Sequence, residues 1–138
     1  SRFDKKLVAQ IQDAETLTEN NNGLILNIAA NYGGRWDILN ATKALAEQVK
    51  EGSLECEQID EAMLNRYTCC ADLPELDLLI RTGGETRISN FLLWQVAYAE
   101  LYFTDTYWPD FNEDAFQLAI DNFADRQRRY GMTGEQVS

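Results

Sequence analysis

A parallel α/β sheet flanked by helices is the fold class this sequence predicts, and three observations carry it. Short apolar runs rich in branched or aromatic residues, at residues 24–30, 76–81 and 100–104, read as strands covered on both faces. Stretches with apolar residues at helical spacing lie before, between and after them. The connections are long enough to return the chain to the same end of a sheet, which parallel strands need and tight hairpins do not provide.

Taken in order, Phe3, Leu7, Ile11 and Ala14 share one helical face, and the helix stops before the turn-rich run Asn20-Asn21-Asn22-Gly23. The run at 24–30 is the first predicted strand, closed by Asn31-Tyr32-Gly33-Gly34. Residues 36–50 carry Ile38, Leu39, Ala41, Ala44, Leu45 and Val49 on one stripe, with Asp37 near the start and Gly52 just past the end. A third helix is expected over 57–67, and Asp72-Leu73-Pro74 breaks the chain before the strand at 76–81. Residues 90–98 are apolar around nearly the whole circumference, as in a helix enclosed by a core or a subunit interface. The strand at 100–104 follows. Asn112 starts a last helix, with Glu113 and Asp114 in its first turn and Phe116, Ile120 and Phe123 on one face.

The functional reading centres on residues 77–90. A buried strand runs into Arg81-Thr82-Gly83-Gly84-Glu85-Thr86-Arg87-Ile88-Ser89, and the next apolar run begins at Asn90. A loop between a strand's carboxyl end and a helix's amino end is where open α/β sheets bind ligands and where backbone N–H groups face anions. Two arginines bracket the glycines as planar, bidentate donors, which points to a diphosphate.

Composition bounds the alternatives. The chain has 138 residues, 45% of them hydrophobic, enough for one compact domain. Its formal charge of −11 argues against a general nucleic-acid surface. No apolar run approaches the roughly 20 residues that span a bilayer, and residues 1–6 lack a signal-peptide core, so a cytoplasmic protein is expected. Histidine is absent, and Cys56, Cys69 and Cys70 lack metal-site spacing.

Ile80-Arg-Thr-Gly-Gly-Glu85, Arg87-Ile-Ser-Asn-Phe-Leu-Leu-Trp-Gln95, Ala99-Glu-Leu-Tyr-Phe103, Trp108-Pro-Asp-Phe111 and Asn27-Ile-Ala-Ala-Asn-Tyr-Gly-Gly-Arg35 together resemble the carboxyl-terminal half of bacterial undecaprenyl diphosphate synthases, which are cis-prenyltransferases. The resemblance covers nearly all of the chain. It implies that residues 1–138 are half of a single domain and that the three strands belong to a larger sheet. It also implies that the catalytic Asp, carried in the family by an Asp-Gly-Asn-Gly-Arg-Trp segment not found in this sequence, is missing, so this chain alone is expected to be inactive. The implied substrates are isopentenyl and farnesyl diphosphates, joined with cis geometry into undecaprenyl diphosphate, a lipid-carrier precursor for cell-wall synthesis that associates peripherally with membrane. By the same resemblance Arg81, Arg87, Ile88 and Ser89 hold the isopentenyl diphosphate, and Gly83, Gly84 and Glu85 shape the loop. Glu85 is expected to orient Arg81 or Arg87. Glu100 matches a glutamate associated with Mg²⁺, and its rival reading is a salt bridge to a nearby Arg. Asp110 reads first as helping to start the last helix; Asp110, Arg129 and Gly131 are further substrate-side candidates, the last two in an Arg-any-Gly element that reaches across a homodimer.

Two rival classes remain: a non-catalytic partner subunit of a cis-prenyltransferase, in which the diphosphate arginines tend to be lost, and a phosphate-binding α/β module, for which the Gly-rich Lys-Ser/Thr loop is missing.

Overall fold

The computed structural model describes residues 3–126. The chain divides into two units, Ser1–Ala30 and Asn31–Ser138. The first contains helix α1, Lys5–Thr18, started by Asp4, whose carboxylate accepts the Leu7 N–H at 2.8 Å. Leu7, Ile11 and Ala14 of the expected face lie in it, Phe3 precedes it, and no residue of α1 is buried.

The strand expected at 24–30 is not formed. Leu24, Ile25, Leu26 and Ile28 are all exposed, and among the described residues the sheet contains two strands, not three. Apolar, branched side chains suit a strand, but a strand exists only when neighbouring backbones accept and donate along its length. Among the described residues this segment has no such ladder.

The second unit opens with helix α2, Gly34–Lys50, which buries Asp37, Ala41 and Leu45 at four-residue spacing. At its end Gly52 takes a left-handed φ of 73° and donates to the Val49 carbonyl at 3.1 Å. A short 3₁₀ turn, Cys56–Gln58, leads to helix α3, Glu61–Tyr67, where Asp60 accepts from the Met63 N–H at 2.7 Å. The two helices pack together.

Strand β1, Leu78–Arg81, pairs in parallel with β2, Glu100–Phe103, in the register Leu78 to Glu100 and Arg81 to Phe103. The parallel α/β class therefore holds, with one strand fewer. Helix α4, Glu113–Ala124, packs on β2 and begins at Asn112, whose side chain accepts from the Ala115 N–H at 3.0 Å. Asp110 lies in a preceding 3₁₀ turn, Trp108–Asp110, so the cap of α4 is Asn112. Ala41, Leu45, Leu54, Leu79 and Ala119 are the buried apolar residues.

The helix expected over 90–98 is replaced by a string of turns. Ser89, Asn90 and Leu92 have φ of 47°, 64° and 48°, left-handed values that a right-handed helix cannot contain. A single four-residue hydrogen bond, Val96 N–H to the Leu92 carbonyl, sits among three-residue ones. Phe91 and Tyr98 are exposed, so the all-round apolar pattern is not enclosed.

Candidate functional site

Arg81 closes β1. Its carbonyl accepts from the Thr104 N–H at 2.9 Å, while its guanidinium Nε is buried and has no hydrogen-bond partner among the described residues. A buried donor on a charged group left unmatched is costly, and an anion is the acceptor that suits it best.

Gly83 and Gly84 take φ of 83° and 73°, where a Cβ would be strained. Their N–H groups do not face an anion as expected. Gly83 donates to the Thr106 carbonyl at 2.9 Å and Gly84 to the Thr104 carbonyl at 3.0 Å, which pins the loop against the chain leaving β2. No helix follows to add an amino-terminal dipole. Those two N–H groups are therefore occupied within the chain. Arg87 is exposed and ion-paired with Glu85, so Glu85 orients Arg87 rather than Arg81. Ser89 is exposed and Ile88 half-buried.

Glu100 does not join this group. Arg81 and Glu100 sit at opposite ends of the strand pair, three residue steps or about 10 Å apart, and period-2 alternation points them to opposite faces. Glu100 Oε2 pairs with Arg126 Nη1 at 3.0 Å, and the same nitrogen donates to the Leu101 carbonyl at 3.0 Å. The salt-bridge reading of Glu100 is thus realised. Its carboxylate is still the hard oxygen donor that Mg²⁺ takes one or two of, with phosphate and water oxygens completing the shell. Among the described residues no group of three or more Cys, Asp or Glu converges as a metal cage. Arg129 and Gly131 lie outside the described residues.

The sequence reading missed Asp37, which is 2% exposed. Its Oδ2 accepts from the Tyr32 phenol at 2.8 Å and from Gln95 Nε2 at 3.1 Å, and its Oδ1 accepts from the Cys69 N–H at 2.8 Å. Gln95 Nε2 also donates to the Cys69 carbonyl at 2.9 Å. Burial by itself raises the Asp37 pKa, but the hydrogen bonds from Cys69, Tyr32 and Gln95 outweigh it and leave the carboxyl below its ordinary value. Burial, then Asp37, push the Tyr32 phenol well above its ordinary value and the Cys69 thiol up to about 11. A signal for this knot was present: Asp37 continues the buried stripe of Ala41 and Leu45, and a carboxylate there needs partners.

The loop at 31–35 packs against the segment at 88–95. Tyr32 and Phe91 meet edge-to-face with ring centres 5.8 Å apart. A Cβ on Gly34 would stand 2.7 Å from Leu93 Cγ and 2.8 Å from the Leu93 nitrogen.

With this geometry in hand, comparison with known proteins is specific. Residues 1–131 match the prenyltransferase family model described as "Putative undecaprenyl diphosphate synthase". The chain is 59% identical over 133 residues to the ditrans,polycis-undecaprenyl-diphosphate synthase ((2E,6E)-farnesyl-diphosphate specific) of Escherichia coli K12, covering 96% of this chain and 53% of that protein. It is 61% identical over 132 residues to the protein of the same name from Pectobacterium atrosepticum, covering 96% and 52%. The chain thus spans about half the length of the curated relatives it matches. Among solved structures, lavandulyl diphosphate synthase from Lavandula x intermedia, in complex with dimethylallyl diphosphate, superposes with a TM-score of 0.87 at 38% identity, covering 94% of this chain and 56% of that one. A protein from Campylobacter jejuni described as a probable undecaprenyl diphosphate synthase gives 0.74 at 35% identity, covering 94% and 58%.

Proposed function

We propose that this chain, which belongs to the undecaprenyl diphosphate synthase family of cis-prenyltransferases, forms the isopentenyl diphosphate side of an enzyme that condenses isopentenyl diphosphate onto farnesyl diphosphate with cis geometry. The product is undecaprenyl diphosphate, which serves as a lipid-carrier precursor for cell-wall synthesis and meets the membrane peripherally from a cytoplasmic enzyme. The observation that carries the reading is the buried, unmatched Nε of Arg81 beside the glycine loop.

In this reading Arg81 and Arg87 neutralise the diphosphate, Ser89 adds a hydroxyl donor, and Ile88 lies against the same ligand. Gly83 and Gly84 let the loop between the two arginines turn back on the chain leaving β2. Glu85 holds Arg87 until phosphate oxygens replace it as acceptor. Fixing the diphosphate fixes the attacking alkene near the allylic carbon, which turns a bimolecular encounter into an oriented one. Glu100 is the carboxylate that would hold Mg²⁺, exchanging one Arg126 contact for the metal, and Mg²⁺ supplies neutralisation of charge on a leaving diphosphate. On this chain that position is separate from the Arg81 loop. Asp110, in the 3₁₀ turn before α4, is a further substrate-side residue, with Arg129 and Gly131 contributing across a homodimer.

The Asp that assists departure of the allylic diphosphate belongs, in this reading, to the remaining half of the domain. Catalysis therefore needs more than residues 1–138. A transfer assay with labelled isopentenyl diphosphate, farnesyl diphosphate and Mg²⁺ tests the function in the full-length enzyme that carries this sequence. Cis-polyprenyl diphosphate product supports it, and tight ATP binding with no transfer contradicts it.

A further inference from the structure

The segment that carries Arg87, Ile88 and Ser89 has no regular structure of its own to hold it. Residues 89, 90 and 92 are left-handed, and no helix or ladder spans 88–98. Left-handed backbone at non-glycine residues costs free energy and persists when surrounding contacts over-determine it. Those contacts come from the amino end of α2.

Asn90 supplies the first. Gly33, the cap residue of α2, has no side chain to cap with, so the first helical N–H groups need outside acceptors. The Asn90 carbonyl accepts from the Gly34 N–H at 2.7 Å, and its Oδ1 accepts from the Arg35 N–H at 2.9 Å. One residue thus caps a helix 55 positions away and, in the same act, fixes the backbone directly after Ser89. The cap Gly33 and the first α2 residue Gly34 both face this segment: a Cβ on Gly33 would stand 2.9 Å from Asn90 Nδ2, and one on Gly34 would strike Leu93. Gln95 supplies the second contact, its amide reaching both the Asp37 carboxylate and the Cys69 carbonyl.

We propose that Asn90 and Gln95 are positioning residues for the diphosphate site, clamping the segment that bears Arg87 and Ser89 to the first turn of α2. Neither touches the ligand. The inference rests on the reading that Arg81, Arg87 and Ser89 bind isopentenyl diphosphate. Asparagine suits position 90 because it tolerates left-handed backbone and offers an acceptor. Ligand and clamp are coupled reciprocally: whatever orders Ser89 also orders the α2 amino end.

Two measurements on the full-length enzyme test the clamp. In steady-state kinetics, Asn90→Gly keeps the left-handed backbone and its carbonyl and deletes the side-chain acceptor of the Arg35 N–H, whereas Asn90→Asp keeps all three. Asn90→Gly and Gln95→Leu should raise the KM for isopentenyl diphosphate about tenfold or more, with a smaller change for farnesyl diphosphate. Asn90→Asp should restore most of the loss. A folded Asn90→Gly enzyme with unchanged KM, or an Asp variant no better than the Gly one, would overturn the proposal. Hydrogen exchange on the unmodified enzyme needs no variant: isopentenyl diphosphate should slow exchange several-fold across residues 31–37 as well as 81–90. Protection confined to 81–90 would overturn the clamp while leaving the diphosphate site standing. Protection at neither would remove the diphosphate reading on which the clamp depends.

Discussion

The Tyr32 phenol donates to Asp37 Oδ2 at 2.8 Å, which places a buried carboxylate at the joint between the 31–35 loop, α2 and the chain after α3. Asp37 is held in its charged form by three donors, and each belongs to a different stretch of sequence. The sign of the pH effect follows. A carboxyl whose folded pKa lies below its unfolded value, about 3.9, contributes stability that is present above that value and lost as pH falls through the folded one. Tyr32 works in the other direction: its raised pKa contributes stability that is present below about 10 and lost as pH rises toward the folded value. Asp37→Asn places an amide N–H₂ among donors and should cost about 1.5–3 kcal/mol at neutral pH, with a flatter acid limb. Urea unfolding at pH 3 and pH 7 checks both, and equal losses at the two pH values would count against the charged knot.

Gly34→Ala gives a second prediction whose sign is decided by competing effects. Glycine to alanine within a helix ordinarily gains about 0.5–1 kcal/mol. Here the new methyl would meet Leu93 Cγ at 2.7 Å and the Leu93 backbone nitrogen at 2.8 Å. Backbone cannot step aside as a side-chain tip can, so the variant should lose about 1–3 kcal/mol. Thermal unfolding checks it, and a raised Tm would show that the contact between α2 and the 88–95 segment is looser than described.

Glu100→Gln should separate stability from metal dependence. The Glu100–Arg126 pair is partly exposed, at 23% and 39%, so its loss costs at most about 1 kcal/mol after solvent screening. The Mg²⁺ concentration needed for half-maximal activity of the full-length enzyme should nonetheless rise. Superimposable Mg²⁺ titrations would remove Glu100 from the metal role.

Residues 1–138 incubated with isopentenyl diphosphate, farnesyl diphosphate and Mg²⁺ should give no turnover, and turnover should appear once the remaining half of the domain is added. Activity of this chain by itself would contradict the division of labour.

Much of the fold was legible because local signals sufficed. The stripes of α2 and α4, the cap Asn112, and Gly52 after α2 each act within one turn of helix. The unformed strand at 24–30 and the turns at 88–98 failed for the opposite reason. Whether an apolar run becomes a strand depends on a neighbour's backbone, and the left-handed Asn90 is hydrogen-bonded to the first turn of α2, far away in sequence. The site divides in the same way. The arginines and glycines were visible as one contiguous motif, but the loss of the Gly83 and Gly84 N–H groups to Thr106 and Thr104 was not. Nor were the partners of Asp37, which stand 5, 32 and 58 residues away, although its place on the buried stripe was. The separation of Glu100 from Arg81 needed the strand register, which the alternation of apolar residues does not specify.

The central claim is that Arg81, whose Nε is buried and unmatched among the described residues, receives the diphosphate of isopentenyl diphosphate. Steady-state kinetics of the full-length Arg81→Ala enzyme, with each substrate varied in turn, tests it most directly. Loss of one charge-assisted contact, about 1.5–3 kcal/mol, predicts a KM for isopentenyl diphosphate raised roughly ten- to a hundredfold, against a much smaller change for farnesyl diphosphate. Equal shifts in the two constants, or none in either, would contradict it.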